Sequence, residues 1–555
     1  MYKYSIIAAA MLTTGQAASA QQAPSAGTQL QQIPRAPAAA RADSEIRIER
    51  ADAPAEPLAG GATVRVNLLH VTGNSLFREA ELVSVANVTP GSELTLAELR
   101  AAAARISAYY NARGYFLAQA YLPTQDIKNG AVTVAVVEGR YGKVDIRNRT
   151  SLSNPRAAQV LSGLNSGNPV ANASLERRLL LLSDIPGVRV RSTLAPGAMV
   201  GTSDLLVDVA PGRRITGSVE TDNAGNRYTG AYRSGGSINV NNPVGLGDVF
   251  SLRVLASEGG LAYGRAAYQA PLGNATVGVA YTHLRYQLGR EFDRLDADGT
   301  ADILSVFGSY PLVRSRDFNL YGLVGFDVKQ LEDRIGIVSS EADKQVKVAT
   351  ISFNGDSRDD FAGGGWNVYS AGLSVGNLDI QSQLERAADA LSARSDGGFS
   401  KVQSSFARLQ SVTGPLSLYA AVRGQIALDN LDSSEKMELG GAYGVRAYPE
   451  GEAYGDQGYI ATLEARLMVS RWAESLPGQL QLIGFVDAGK VQFSHKPWFA
   501  GSNQASRSGI GAGITWAGPH DLTLKASYAR KLGDAPATSG PDKDGRAWFQ
   551  ISKLF

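Results

Sequence analysis

Cysteine is absent from this chain of 555 residues. Its absence excludes disulfide frameworks, cysteine nucleophiles, iron–sulfur clusters and cysteine-ligated zinc. Histidine is scarce, and the four residues present are scattered without the spacing of metal ligands: His70, His283, His495 and His520. The sequence therefore predicts no metal site.

Charge of either sign is not in excess, since 54 Lys and Arg residues stand against 52 Asp and Glu residues. A nucleic-acid partner is not predicted, because such proteins carry a basic excess or stripe. After residue 20 no run of about 18 apolar residues occurs, so no transmembrane helix is predicted. A membrane-spanning β-barrel stays open, because its apolar positions alternate with polar ones.

Motifs of catalysis are also scarce. Residues 484–490 match most of a phosphate-binding P-loop, but Val491 stands where Ser or Thr would hold magnesium. The same stretch is predicted to be a strand with no helix after it. The G-x-S-x-G elbow of esterases does not occur. We therefore predict no catalytic residue and no cofactor.

The N-terminus carries an export signal. Residues 1–20 contain Lys3, an apolar run at 6–12 and the small-residue cleavage site at 18–20. Residues 21–62 are rich in proline, alanine and glutamine, which predicts a linker. Within this linker, residues 38–50 lack proline and are a candidate helix.

An internal repeat follows the linker. Two units of about 70 residues, at 63–140 and 141–212, share the predicted order β-α-α-β-β. Residues 95–113 of the first unit predict a helix, because apolar residues recur every three or four positions before Gly114. Strands are predicted at 116–122 in the first unit and at 188–193 in the second.

Residues 213–555 have the pattern of a membrane barrel and contain all five tryptophans. Segments of about ten residues alternate apolar and polar positions, and short turns alternate with long loops. The polar face includes long charged residues that suit a wet lumen, among them Arg253, Arg423, Glu464 and Arg466. We count sixteen segments, an even number that lets a barrel close with both ends on one side.

The longest predicted loop contains a run that is unusual for a solvated loop. Residues 440–448 are rich in glycine and aromatics and include Arg446. A loop that folds back into a lumen needs an anchor, and an arginine fork on a carboxylate is a strong one. Asp487 is the expected partner, because it lies well inside a predicted strand where an unpaired acid would be costly.

These features resemble the outer-membrane transporters of two-partner secretion, the haemolysin- and adhesin-secreting type, along essentially the whole chain. The family's V-R-G-Y/F and F-x-D-x-G motifs match Val445, Arg446 and Tyr448 in the loop and Phe485, Asp487 and Gly489 in a strand. Alanine replaces the motif's glycine at position 447. The resemblance implies that Arg446 and Asp487 form an ion pair that locks the sixth loop.

The resemblance also implies the fold class: mostly β with α+β modules, a 16-stranded antiparallel transmembrane β-barrel preceded by two POTRA domains. The implied domains are a signal peptide (1–20), a periplasmic extension (21–62), POTRA 1 (63–140), POTRA 2 (141–212) and the barrel (213–555). The family has an N-terminal helix that plugs the barrel, and residues 38–50 are the candidate here. The implied location is the outer membrane of a Gram-negative bacterium, with the POTRA domains in the periplasm.

The implied function is a pore that secretes an unfolded exoprotein, a large β-helical adhesin or haemolysin. Outer-membrane lipids and the barrel-assembly machinery, which reads the C-terminal Phe555, are the other expected partners. An exoprotein strand is expected to add to exposed POTRA edges, where the predicted contact residues are Phe116, Tyr121, Val188 and Val190. The alternatives are an outer-membrane insertase of the same superfamily, a passive porin with a recognition module, and a barrel hydrolase.

Overall fold

The computed structural model describes residues 24–34, 36, 45–48, 63–469 and 477–555. The predicted signal peptide lies outside these residues, as do most of the predicted linker and residues 38–44 and 49–50 of the candidate plug helix. Among the described residues, no helix is long and apolar enough to cross a membrane.

The N-terminal segment contains one short helix and one short strand. Helix α1 (Ala26–Gln31) begins at a capping box on Ser25, whose hydroxyl accepts a hydrogen bond from the backbone of Thr28. Strand β1 (Glu45–Ile48) pairs in parallel with a later strand, and Glu45 lies opposite Arg191. The prediction of a helix over 38–50 is therefore wrong at its described positions.

The first POTRA module has a three-stranded sheet in the order β3-β6-β5 and a separate β2-β4 pair. Its elements are β2 (Thr63–Val66), β3 (Leu68–Thr72), α2 (Glu79–Ala86), β4 (Ser92–Thr95), α3 (Leu96–Ala112), β5 (Gln119–Tyr121) and β6 (Ala131–Val137). Helix α3 begins at a second capping box, between Thr95 and Glu98. Its buried stripe against the sheet comprises Leu99, Ala102, Ala103, Ile106 and Tyr110.

The second module repeats this arrangement. It consists of β7 (Arg140–Asn148), α4 (Asn154–Val160), α5 (Asn172–Ser183), β8 (Val188–Pro196) and β9 (Thr202–Pro211). Its sheet order is β1-β8-β9-β7, so β1 covers the edge that β8 would otherwise expose. Asp184 attaches the module to the barrel, because the guanidinium of Arg314 donates hydrogen bonds to its two carboxylate oxygens at 2.7 and 2.9 Å.

Sixteen antiparallel strands close into a barrel, as predicted, with the first strand hydrogen-bonded to the last. They are β10 (Ile215–Asp222), β11 (Arg233–Asn241), β12 (Val249–Ser257), β13 (Ala262–Leu272), β14 (Ala275–Gln287), β15 (Ala297–Arg314), β16 (Phe318–Ile335), β17 (Ser340–Asp359), β18 (Gly365–Ile380), β19 (Gly397–Ser411), β20 (Leu416–Ala427), β23 (Gln457–Met468), β24 (Gln479–Gln492), β25 (Gln504–Ala517), β26 (Leu522–Lys531) and β27 (Gly545–Leu554). Between β20 and β23, β21 (Met437–Glu438) pairs with β22 (Tyr454–Gly455).

The two faces of the barrel wall differ as the sequence alternation predicts. Along β14, Val277, Val279 and Tyr281 are exposed on the outer face, whereas Thr282 and Leu284 face inward and are buried. Successive side chains of a strand point to opposite faces. The fold class predicted from the sequence is therefore confirmed.

A buried carboxylate organises the junction between the two POTRA modules. Glu138 follows β6 and accepts hydrogen bonds from the backbone of Ser75 and Leu76 at 2.5 and 2.8 Å. The hydroxyl of Tyr110 and the guanidinium of Arg140 also donate to it, at 3.1 and 3.0 Å. Burial alone would raise the pKa of Glu138, but the donors outweigh burial and lower it.

We expect Glu138→Ala to destabilise the first module by about 2–3 kcal/mol, because buried donors lose a charged acceptor. Since folding depresses the pKa of this carboxyl, its stabilising effect is present above the ordinary value of 4.5 and is lost as the pH falls below it. Hydrogen–deuterium exchange of the full-length protein at pH 7 and pH 4 measures this effect. Glu81→Ala, which removes an exposed acid from the same module, is the control, and equal protection in both variants would contradict the assignment.

Candidate functional site

The barrel lumen is occupied by two segments of the chain itself. One is the long loop between β20 and β23, here called loop six, which comprises residues 428–456. Its residues Leu439, Val445, Ala447 and Tyr448 are fully buried and pack with Phe485 of the wall. The other segment is α1, which contacts both the wall and loop six. The lumen is therefore the site where any transported molecule would have to displace protein.

Arg446 of loop six forms a fork with Asp487 of β24. Its Nε donates to Oδ2 at 2.7 Å and its Nη2 donates to Oδ1 at 2.8 Å. Its backbone N–H also donates to Oδ2 at 3.2 Å, and the hydroxyl of Thr462 donates to Oδ1 at 2.9 Å. Asp487 is fully buried. All the acceptor capacity of this carboxylate is therefore directed at the loop and one neighbouring strand.

The same guanidinium makes two further contacts with the wall. Its Nη1 lies 2.9 Å from a carboxylate oxygen of Glu464, and its Cζ lies 3.4 Å from the centre of the Phe485 ring. Trp548 of β27 donates its indole N–H to the backbone carbonyl of Arg446 at 2.7 Å. Arg446 thus joins β23, β24 and β27 through one residue of the loop.

The remaining motif residues shape the space around this fork. Tyr448 donates its hydroxyl to the carbonyl of Ala535 at 3.1 Å. A Cβ on Gly489 would lie 2.6 Å from a terminal methyl of Leu439 and 2.8 Å from the carbonyl oxygen of Tyr459, so glycine leaves room for Leu439 against β24. The methyl of Ala447, which replaces the family's glycine, lies beside Gly509, where the wall has no side chain. The structure therefore brings all six predicted motif residues into one cluster.

A second group of buried charges holds the start of loop six to β16, β17 and β19. Glu435 pairs with Lys329 and, at 2.8 Å, with Lys401. Asp432 lies 3.4 Å from Lys344. Sequence reasoning missed these pairs, although the alternation places all three lysines at inward positions beside apolar residues.

Helix α1 rests on the same part of loop six. The backbone N–H of Ala26 donates to Asp333 at 2.7 Å, and the hydroxyls of Ser25 and Ser433 lie 3.1 Å apart. Gly27 packs directly on the loop, because a Cβ there would lie 2.6 Å from the backbone nitrogen of Ser434. The helix described in the lumen is therefore Ala26–Gln31, whereas the described part of the predicted plug, residues 45–48, is strand β1.

The chain after α1 is also held by inward-facing arginines. Arg233 donates to the carbonyl of Gln32 at 2.8 Å and is paired with Asp222 at 2.9 Å. Arg253 pairs with Glu220 at 2.7 Å and donates to the carbonyl of Pro34. Polar contacts with the wall thus hold the chain at Gln32 and at Pro34.

Two cavities flank α1 inside the barrel, with volumes of about 1,510 and 890 Å³. Both are lined mainly by polar residues of the wall, and Arg423 faces each of them. Arg253 also lines the larger cavity, as the sequence alternation predicts. The lumen beside α1 therefore contains polar space.

The predicted POTRA edges differ from one another. Val188 and Val190 are buried in the core of the second module, and β8 is paired with β1 on its outer side. Phe116 lies in a turn and packs against that same core. These three residues are therefore wrong as contact residues. Tyr121 is half exposed on β5, which forms the outer edge of its sheet among the described residues.

A groove of about 420 Å³ runs between β5 and α3. Its helical side presents small residues: Ala103, Ala104, Ser107 and Ala108. The hydroxyl of Ser107 accepts the outward-pointing backbone N–H of Ala120 at 2.8 Å. Among the described residues this edge therefore has no partner strand, its Ala120 N–H is held by α3, and the groove leaves space for the side chains of an added strand.

Together, tandem POTRA modules, a closed sixteen-stranded barrel and a loop anchored inside it define a POTRA-plus-barrel transporter of the outer membrane. A POTRA domain of the ShlB type matches residues 64–139. The haemolysin secretion/activation protein family ShlB/FhaC/HecB matches residues 201–516, and the chain belongs to this family.

Known relatives are similar over most of their length. The heme/hemopexin transporter protein HuxB of Haemophilus influenzae strain 86-028NP is 26% identical, over 86% of this chain and 84% of the relative. The outer membrane transporter CdiB of Dickeya dadantii is 23% identical, over 74% of this chain and 72% of the relative.

Solved structures share the fold. CdiB from Escherichia coli superposes with a TM-score of 0.72 at 19% identity, covering 90% of this chain and 93% of that one. BamA from Haemophilus ducreyi lacking POTRA domains 1–3 gives a TM-score of 0.52 at 14% identity, covering 88% of this chain and all of that one.

We expect Gly27→Leu to weaken the seating of α1, because overpacking a tight contact costs about 1–3 kcal/mol. The conductance of single channels in planar bilayers should rise as the lumen empties. Gly264→Leu is the matched control, because a side chain at Gly264 on the barrel wall meets open space. Equal conductance in the two variants would contradict the seating of α1 on loop six.

Proposed function

We propose that this protein is an outer-membrane translocation pore that recognises an unfolded exoprotein with its POTRA domains and secretes it in two-partner, type V fashion. The observation that carries the proposal is a barrel whose lumen is filled by the chain's own loop and helix, which polar contacts hold. Membership of the haemolysin secretion/activation family supports it. Transport then needs displacement of these segments and no covalent chemistry.

Recognition in this proposal takes place on the first POTRA module. An extended segment of the exoprotein adds to β5 and replaces Ser107 at the Ala120 N–H, since strand edges without a partner strand pair readily with another chain. Its side chains enter the groove between β5 and α3, where small residues leave room. The edge at β8 is not offered, because β1 already pairs with it.

Loop six is the gate in this proposal, and the fork between Arg446 and Asp487 sets its closed position. Taking two charges out of water is costly, and their attraction repays the cost only when geometry and hydrogen bonding are good. Asp487 meets this condition, because every donor around it is well placed. The ion pair between Arg446 and Asp487 thus stabilises one position of the loop, and a small displacement of the loop breaks it.

The other partners follow from the same proposal. The outer face of the barrel contacts outer-membrane lipids, the C-terminal strand ending at Phe555 is read by the barrel-assembly machinery, and the POTRA domains lie in the periplasm. The protein catalyses no covalent reaction. The large β-helical exoprotein supplies the driving force by folding outside the cell, a step that requires no nucleotide.

We expect Arg446→Ala to reduce secretion at least about tenfold, because removing one partner of a buried ion pair costs about 3–5 kcal/mol. The measurement is the amount of exoprotein in the culture medium, together with single-channel conductance. Arg408→Ala is the matched control, since Arg408 makes a similar fork with Asp359, at 2.7 and 2.9 Å, outside the lumen. If secretion and conductance both stay at wild-type values in Arg446→Ala, the locking role is wrong.

We expect Ala108→Trp to lower the affinity for the exoprotein at least about tenfold. A bulky side chain fills the groove, so the added strand loses its packing there, at a cost of about 1.4 kcal/mol or more. Binding of the purified protein to an N-terminal exoprotein segment is measured by fluorescence anisotropy. Ala101→Trp is the matched control, since Ala101 is exposed on the same helix and does not line the groove. Equal affinities in the two variants would exclude the β5 edge as the recognition site.

A further inference from the structure

Helix α6 (Gln383–Ala390) lies in the loop between β18 and β19, at the end of the barrel away from the POTRA modules. Its exposed face is unusually apolar. Leu384, Ala387, Ala388 and Leu391 recur at the spacing of one helical face, and all four are exposed. Leu384 and Leu391 are 85% and 89% exposed.

The polar face of α6 is fastened to the barrel. Before the helix, the hydroxyl of Ser382 accepts the backbone N–H of Asp343 at 2.8 Å and donates to the carbonyl of Glu341 at 2.9 Å. Within the helix, Arg386 donates to Asp379 of β18 at 2.9 Å. These contacts set the orientation of the helix, so the apolar stripe points away from the protein.

The position of α6 along the barrel coincides with the upper border of the apolar wall. On the outer face of β18, Leu373 and Val375 are exposed, and Asn377 and Asp379 follow them. The lower border carries an aromatic pair, in which Tyr369 lies 6.3 Å from Phe318. A strand tilted by about 40° climbs roughly 2.6 Å per residue, so Tyr369 to Asp379 spans about 25 Å, the height of a lipid-facing band.

A cleft of about 360 Å³ separates α6 from the outer wall at this level. Its charged lining residues are Lys347, Asp379, Arg386 and Asp396, and Arg386 pairs with Asp379 at 2.9 Å and with Asp396 at 3.8 Å, so Lys347 is the cation left for an external anion. Lys347 points outward, because its neighbours Val346 and Val348 are buried inside. Long cationic side chains at a membrane border extend towards the lipid head groups.

We propose that α6 lies flat in the head-group layer of the outer leaflet, with Leu384, Ala387, Ala388 and Leu391 buried in lipid. Two observations favour lipid as the occupant of this face. The apolar stripe lies at the level where the lipid-facing wall ends, and the outward-pointing Lys347 lies at the level of lipid phosphates. An amphipathic helix of this kind binds an interface through its apolar face.

The inference rests on the proposed placement of the barrel in the outer membrane. It gives the loop between β18 and β19 a fixed position outside the pore mouth. The helix then acts as an external anchor for this part of the rim, on the side of the barrel where Lys344 and Lys401 hold loop six from within.

The absence of native cysteine makes the test direct, since a single introduced cysteine takes the only spin label. Leu384→Cys and Leu391→Cys are labelled with a nitroxide in full-length protein reconstituted into phosphatidylcholine and phosphatidylglycerol liposomes. Accessibility to oxygen and to a water-soluble nickel chelate is measured by power saturation. We expect oxygen to relax both labels more than nickel does, as it does for labels in lipid.

Two matched leucine or isoleucine positions calibrate the result. Leu373→Cys lies in the lipid-facing band, whereas Ile337→Cys lies at the exposed turn between β16 and β17, beyond the membrane. Labels on α6 that behave like Ile337→Cys, including labels protected only by added exoprotein, would overturn the inference. If Leu373→Cys also reported water, the placement of the barrel itself would fail, so the two failures are distinguishable.

Discussion

The closure of the barrel between β10 and β27 is the constraint on which the rest of the structure depends. In lipid no water can satisfy a backbone N–H or carbonyl, so an open sheet edge is not tolerated. Pairing of Ser218 through Asp222 with the last strand removes both edges at once. In a closed wall one face of every strand meets lipid and the other meets the lumen. Side chains therefore alternate along each strand, apolar outside and polar inside.

That alternation places charged side chains in the lumen, and loop six and the chain at α1 supply partners for some of them. A lumen lined by charged residues is stable when it is full of water or when each charge has a partner. Asp222 meets Arg233, Glu220 meets Arg253, and Asp487 meets the loop through Arg446. The lumen is therefore filled by directional polar contacts together with an apolar cluster, in which Leu439, Val445 and Tyr448 of loop six pack against Phe485.

The sequence predicts most of the barrel, because period-two alternation is repeated many times and each repeat supports the others. It also predicts the contact between Arg446 and Asp487, since an acid deep in a strand needs a partner and an arginine-bearing loop supplies one. These inferences succeed because they depend on local pattern and on the cost of an unpaired charge.

The predictions of the plug helix and of the β8 edge, which were wrong, share a physical cause. Helix α1 has six residues, too few to be stable alone, so its capping box and its fit against Ser433 and Asp333 hold it helical. Strand β1 is shorter still, with four residues, and its pairing with β8 depends on backbone groups that carry no sequence signal. Val188 and Val190 alternate like an edge strand, yet alternation reports which face is buried and not whether the edge is free.

The contact between α1 and loop six couples the positions of these two segments. Ser25 and Gly27 rest on Ser433 and Ser434, and the next residue of the loop, Glu435, holds Lys329 and Lys401. A movement of α1 therefore removes support from the residues that orient Glu435, and a movement of the loop removes the surface on which α1 is seated. Because the contacts are shared, the free energy of opening the two segments together is smaller than the sum for opening each alone. The lumen thus behaves as one cooperative unit, with the fork on Asp487 at one side and the lysines of β16, β17 and β19 at the other.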